Sequence, residues 1–272
     1  MQGQPLNIGL FVDEIYDIGR IEDVHWVPWY SQSAPLIYHQ TTFGRGFVFG
    51  RTDWQYVLNT FAYGYAVGYH FVERPTGAAG GQFLGIGTDA ATNASVLVES
   101  IEASGVLIAN GEFTAFCDQG LAVTGHPVHF CRPGDPSISP VHVRTTATAT
   151  RGSVKFSSSS FWGPAASVAV VDGAGTLSFV GCRFDAWDNH LNATATGFEH
   201  EGTAAITQSG GSLVINSCEF AQTLSRGSPL VALASGARKT VVTGNVLSGV
   251  MTVSKGVGFT GKAVVANNAD DS

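Results

Sequence analysis

Charge is scarce in this chain of 272 residues: Asp, Glu, Lys and Arg together make up only 13% of it. The strong helix formers Lys, Glu and Leu are thinly spread, and no stretch repeats its apolar residues at helical spacing, so long helices are excluded. Basic residues number 14 against 21 acidic ones, a formal net charge of -7, and they form no clustered face, which excludes a nucleic-acid partner. No apolar run approaches the ~18 residues needed to cross a bilayer, so no membrane partner is expected. The start, Met1-Gln2-Gly3-Gln4-Pro5, has neither the basic nor the apolar region of a signal peptide; a secreted protein would already have lost its leader. Four cysteines are too few to staple a chain of this size. Cys117 and Cys131 are separated as a loop closure would require, and their state is left open.

What is abundant is the vocabulary of strand and turn. Glycine reaches 34 residues, and Val, Thr, Ser and Phe recur in short runs bounded by Gly or Asn. One phrase is written at least seven times: a large residue, a small or polar one, then an aromatic. Its clearest copies are Leu177-Ser178-Phe179 leading to Cys182 and Phe184, and Leu213-Val214-Ile215 leading to Cys218 and Phe220. Others begin at Gly19, Tyr56, Val106, Val154 and Thr240. A second strand-like phrase precedes each, as in Leu10-Phe11-Val12, Phe47-Val48-Phe49, Val96-Leu97-Val98 and Val141-His142-Val143.

Two linked phrases repeating in order describe coils that cannot bury their own apolar faces and must stack, placing like residues in columns. One expected column holds Val24, Phe61, Gly111, Ser159, Cys182, Cys218 and Asn245; another holds Trp26, Tyr63, Phe113, Phe161, Phe184, Phe220 and Leu247. The fold expected is all-β, a right-handed parallel β-helix of about seven or more coils with loop insertions, filling residues 1–272 as one domain. Residues from Glu73 through the glycine-rich Gly77-Ala78-Ala79-Gly80-Gly81 to Asp89 read as a loop leaving the stack and returning.

The coil architecture, with the phrase Ile15-Tyr16-Asp17-Ile18-Gly19-Arg20-Ile21-Glu22-Asp23-Val24-His25-Trp26, resembles the pectate-lyase-like superfamily and its tailspike-like relatives. That resemblance covers most of the chain and implies a carbohydrate-active protein at the cell surface or outside the cell. It also implies N-terminal coils and a helical cap beyond those visible here, so that another copy of the chain is expected to cover the first coil. The polygalacturonase motifs of that superfamily are not intact: the nearest fragments are Asn59-Thr60-Phe61, Gly125-His126-Pro127 and Arg20-Ile21-Glu22. No run of acidic residues fits the calcium cluster of pectate lyases, and no metal or cofactor is expected.

The polar residues just after the upstream phrase are Asp13, Arg51, Glu99, Arg144, Asp172 and Gln208, alternating in charge. Carboxylates on neighbouring coils would lie ~5 Å apart and those one coil further ~10 Å, separations that bracket the two-carboxylate machinery of glycosidases. Glu99, after three apolar residues, is the expected acid, where partial burial would keep a proton for a leaving group. Asp13 or Asp172 is the expected ionised partner, with Arg51 and Arg144 binding substrate or holding the carboxylates ionised. The loops around Asp89 and His126 are expected to wall the groove. Trp29 and Trp187, just past the core aromatic, are candidates to stack on sugar rings.

His126, His129 and Asp135 near Cys131 form a loose polar cluster whose spacing matches no zinc pattern. Asp185, Asp188, His190, Glu199, His200 and Glu201 flank another insertion. The expected function is therefore a polysaccharide hydrolase or lyase working through carboxylates on adjacent coils. The alternative is a non-catalytic structural or adhesive β-helix, such as a trimeric spike or glycan-binding surface protein.

Overall fold

A computed structural model describes residues 1–31, 33–115, 122–123, 126–127, 140–146, 152–163, 165–185, 187, 204–221, 230–247 and 252–269. Its architecture is all-β and dominated by two long sheets of parallel strands. Sheet one has nine strands stacked in chain order, from Ile8–Val12, Arg45–Phe49, Val67–Phe71 and Ala94–Val98 through Val141–Thr145 and Ser167–Val171 to Val253–Lys255. After each of these the chain crosses to sheet two. There it lays down a longer strand, such as Ile101–Ala109, Ser153–Ser157, Thr176–Val180 or Ser212–Asn216. In most passes a three-residue strand follows, such as Glu112–Thr114, Ser160–Trp162 or Arg183–Asp185. This alternation is the repeat-like order of a parallel β-helix.

A bend of one kind recurs in the passes of sheet two, between long and short strands in most, within the single strands Arg20–Trp26 and Thr52–Tyr63, and after Lys262–Ala266. Asp23, Asn59, Gly85, Asn110, Ser158, Gly181, Ser217, Gly244 and Asn267 occupy it, and all have φ between 47° and 70°. That left-handed conformation costs an ordinary L-residue about 1–2 kcal/mol, and Gly, Asn and Asp tolerate it best.

Inside the stack the expected columns are present from Val106 onward. Val106, Val154, Leu177, Leu213 and Thr240 are in register, as are Phe113, Phe161, Phe184, Phe220 and Leu247. The four phenylalanines are fully buried and stacked, with centroid separations of 5.1, 5.0 and 4.4 Å. Beside them Phe156 and Phe179 stack at 5.3 Å. Cys182 and Cys218 are free, buried thiols.

The thiols belong to an internal polar ladder. The Gly111 N–H donates to Ser159 Oγ at 3.1 Å, the Cys182 N–H to Cys218 Sγ at 3.4 Å, the Cys218 N–H to Asn245 Oδ1 at 2.8 Å and the Asn245 N–H to Asn268 Oδ1 at 3.0 Å. Each side chain thus satisfies a buried backbone donor of the coil before it. Asn245→Ala strands the Cys218 N–H, so a loss of about 1–3 kcal/mol is expected in a denaturant titration. An unchanged midpoint would mean the ladder contributes nothing.

Toward the N-terminal end the register differs from expectation. Tyr56 pairs with Arg20 rather than Gly19, and through Gln82 with Leu107 rather than Val106. A one-residue slip exchanges the two faces of a strand. Trp26 is therefore followed in the core column by Ala62, not Tyr63, and Val24 aligns with Thr60, not Phe61. The stretch read as an excursion is also part of the stack: Ala79–Leu84 and Gly87–Asp89 pair with Thr52–Tyr63 on one side, and with Ile101–Ala109 and Glu112–Thr114 on the other. Glycine is required there by close approach. A Cβ on Gly81 would lie 2.2 Å from the Gln55 carbonyl oxygen, where both flanking strands shift register.

Between the first two strands of sheet one sits a helix, Ala34–Phe43, with Pro35 in its first turn. It is fastened by Gln40, whose Nε2 donates to the carbonyls of Tyr63 and Gly64 at 3.3 and 3.2 Å. His142 is buried at the corner of sheet one, edge-on to Phe161 at 5.6 Å. Burial alone pushes its pKa from 6.5 down to about 3. The folded chain holds it neutral while the unfolded chain protonates it, so its contribution to stability is lost progressively as pH falls from 6.5 toward about 3. Burial also lowers His70, which adds to the same slope. His142→Leu is expected to flatten urea midpoints across that window; an undiminished acid dependence would remove His142 as a cause.

Candidate functional site

The outer face of the short strands is set by alternation. Because Phe113 and its stacking partners point inward, the residues immediately before them point out. That row reads His25, Phe61, Gly87, Glu112, Ser160, Arg183 and Glu219 in register. Gly87 carries no side chain between Phe61 and Glu112, and the Phe61 ring lies against it, its Cδ2 3.1 Å from where a Cβ would stand. Gly85, at the left-handed corner beside it, has nothing within 4 Å of where a Cβ would stand. The result is an open groove of ≈ 450 Å³ with Gly85-Ile86-Gly87 as its floor. His25 and Phe61, packed edge to face at 6.3 Å, lie on one side, and Glu112 and Trp162 on the other.

Two carboxyls enter this groove from adjacent coils. Asp89 stands two residues beyond Gly87, the register partner of Glu112. The sheet spacing therefore puts the Asp89 and Glu112 Cα atoms about 8 Å apart on the diagonal. Burial raises the Asp89 pKa and the Glu112 charge adds to it, against the opposing pull of the Ala90 N–H. The Glu112 carboxyl accepts the Trp162 Nε1–H at 3.0 Å, which fixes an indole that is 44% exposed. The Asn59 amide, at another left-handed corner, donates to Asp23 Oδ1 at 2.6 Å.

Of the residues singled out in the sequence, Asp89 lies in this groove. Glu112, Trp162 and His25 were not selected, although the position before each core aromatic is an outward one and the phrase already located Phe113. The remaining candidates are distributed elsewhere. Asp13, Glu99 and Asp172 do share a column, since each follows the end of its sheet-one strand. It reads Asp13, Gly50, Val72, Glu99, Thr146, Asp172 and Ser209, tied by backbone hydrogen bonds except at Asp172, whose N–H donates to Thr145 Oγ1 at 2.8 Å. Asp13 and Glu99 are thus three coils apart, about 14 Å, and Glu99 and Asp172 two, about 10 Å. The alternating ladder is not formed. Arg51 lies one residue past this column, and Arg144 lies inside its strand opposite Leu97 and Val170.

Each of these side chains has local partners. Asp13 accepts the Arg51 N–H at 2.8 Å and pairs with Arg74 at 2.7 Å. Burial works to raise its pKa, but these contacts outweigh it and hold the carboxyl below its usual range. The Arg51 guanidinium bridges Asp53 and Glu102, each at 2.9 Å, and lies over the Tyr16 ring. Glu99 Oε1 lies 3.0 Å from Nε2 of the buried His70. Burial lowers the Arg144 pKa. Asp172 Oδ1 accepts the Gly173 N–H at 2.7 Å.

None of Asp13, Arg51, Glu99 and Arg144 lines the Asp89 groove, which corrects the expectation of one shared face. Trp29 is 66% exposed on the turn after Arg20–Trp26 and is not among the groove's lining residues. Trp187 is 1% exposed and edge-on to Phe220 at 5.9 Å, so it packs the core and offers no face to a sugar.

His126 falls in a two-residue strand, His126–Pro127, antiparallel to Ala122–Val123. Its side chain lies outside what is described, as do Cys117, His129, Cys131, Asp135, Asp188, His190, Glu199, His200 and Glu201. Among the described residues no three His, Cys, Asp or Glu side chains converge as a metal site, and no helix is long and apolar enough to cross a membrane. The chain matches no family model, no curated protein and no solved structure in comparison with known proteins.

Proposed function

We propose that this chain is a single-domain right-handed parallel β-helix of the pectate-lyase-like kind, acting on an extracellular polysaccharide by hydrolysis in the Asp89 groove. The nine described strands of sheet one are read as one strand from each of nine coils. Right-handedness follows from the near-universal hand of crossovers between parallel strands. The observation that carries the function is the pairing in one open groove of an Asp89 whose pKa burial raises with a Glu112 oriented by Trp162. Asp89 is the general acid toward the leaving oxygen and Glu112 the base for water. With their Cα atoms about 8 Å apart on one outward face, the pair is read as the more widely spaced carboxyls of an inverting enzyme rather than the close pair of a retaining one. The half-exposed Trp162 indole is a platform for a sugar ring.

Hydrolysis is preferred to elimination because a lyase needs a cation to stabilise charge developing beside a uronate, and among the described residues no Lys or Arg lines this groove. The test is a polysaccharide panel read for new reducing ends and for unsaturated-product absorbance, with Trp162 fluorescence reporting binding. Reducing ends without absorbance are expected, and Trp162→Ala should weaken binding roughly tenfold, the worth of one stacked ring. No cleavage or binding of any polymer, or unsaturated products, would sink the reading.

A second reading, a non-catalytic adhesive or self-associating β-helix, is favoured by the concentration of exposed aromatics on the first coils. Phe11, Tyr16, Trp29, Tyr30 and Trp54 are all exposed. Ile8–Val12 is moreover an edge strand of sheet one. Concentration-dependent light scattering separates the two.

A further inference from the structure

We infer that the Asp89 groove selects uncharged glycans and rejects uronate polymers; this rests on the reading of that groove as a glycan site. Among the described residues its lining contains two carboxyls, Asp89 and Glu112, and no Lys or Arg. Three arginines that could serve a polyanion are engaged elsewhere. Arg51 is bridged between Asp53 and Glu102, and Arg74 is paired with Asp13. Arg183 lies two coils beyond Glu112 along the same outward row, about 10 Å away, and is held by Glu219 and Asp185.

A uronate chain carries one negative charge on every sugar. Any residue seated on Trp162 would therefore bring a carboxylate within reach of the Glu112 carboxyl, which the Trp162 N–H fixes beside the ring. With no cation to offset it, that contact is repulsive, and at about 5 Å it is worth roughly a tenfold loss of affinity or more. What the groove offers instead suits hydroxyl-rich neutral rings: an indole face, the Phe61 edge, and the side chains of Asn59, Asn110 and His25. Carboxylate acceptors facing sugar hydroxyls are satisfied by them; facing another carboxylate they are not.

The experiment uses matched probes of one backbone: polygalacturonate, its methyl ester and its carboxyl-reduced neutral form, with alginate and carboxyl-reduced alginate as a second set and a panel of neutral polysaccharides beside them. Binding is followed by tryptophan fluorescence at low salt. The expected result is that the reduced or esterified form, or a member of the neutral panel, binds at least tenfold more tightly than any uronate polymer. A further expectation is that the Asp89→Asn/Glu112→Gln double variant gains uronate affinity by a similar factor. Equal or tighter binding of a uronate polymer by the parent protein overturns the inference while leaving the glycan reading intact. So does a double variant that discriminates as strongly as the parent. Silence across both the charged and the neutral sets overturns the glycan reading itself.

Discussion

Asp89→Asn is expected to lower the rate of polysaccharide cleavage about 10²–10⁴-fold, the usual worth of one positioned acid or base. The amide has nearly the shape of the acid but no proton for a leaving oxygen. The same substitution should not unfold the protein, and the sign of the Asp89 shift says why. Its folded pKa is raised by burial and by Glu112 above the ordinary 3.8, so the native state binds the proton more tightly than the unfolded chain. The resulting stability is present at low pH and is lost as pH rises from 3.8 through the folded value, leaving the ionised group a cost above it. A neutral Asn escapes that cost, and the variant's midpoint at neutral pH should match or exceed that of the parent. The activity profile gives a second check, because the alkaline limb set by loss of the Asp89 proton should vanish in the residual rate of the variant. An Asn variant with full activity, or an unaltered alkaline limb, would remove Asp89 from the acid role. Glu112→Gln should be comparably damaging, whereas Glu99→Gln, three coils from Asp13 and outside the groove, should leave cleavage within about twofold.

Phe184→Ala is expected to destabilise the fold by about 3–5 kcal/mol, measured by urea titration. The ring touches Phe161 at 5.0 Å, Phe220 at 4.4 Å and Phe179 at 5.1 Å, all buried, so truncation removes three aromatic contacts and leaves a cavity between coils. The stacked coils above and below are tied by backbone hydrogen bonds and cannot close around the void. Phe184→Leu, which refills most of the volume, should recover more than half of the loss. A cost below about 1 kcal/mol for the alanine variant would mean that the column is not packed as described.

The outcome of reading the sequence divides near Val106. Beyond it the core slots of Val154, Leu177 and Leu213 are apolar and a core aromatic follows each at the same offset, so these columns are legible in the sequence. Before it the cues conflict. Tyr63 is a large aromatic beside the core slot, but the slot belongs to Ala62, which approaches the Gly46 backbone so closely that a Cβ there would lie 2.7 Å from the Ala62 Cβ. The coil around Phe83 was hidden by Gly80 and Gly81, residues that disfavour strands unless, as here, neighbouring bulged strands leave no room for a Cβ. Missing that coil concealed the neighbour relation between Asp89 and Glu112. The upstream ladder failed for a related reason. The pairing of Val143 with Val96 shows that Thr145, not Val143, ends its strand, so an offset counted from Val143 landed on Arg144. Polar side chains carry no periodic signal of their own; they inherit their positions from the apolar register, and an error of one residue moves them to another face.

The left-handed corners give the stack a property that neither its core nor its groove supplies. The nine described passes make the same bend at the same place, seven of them through Gly, Asn or Asp, whose own conformational preference permits it. A coil docking on the growing end therefore arrives with its fold point already marked, and sliding by one residue would force that bend onto a side chain that resists it. The corners act as detents. Whole coils become interchangeable units, so that the length of such a rod can change between lineages by gain or loss of a pass, while the alignment of everything above and below the change is preserved.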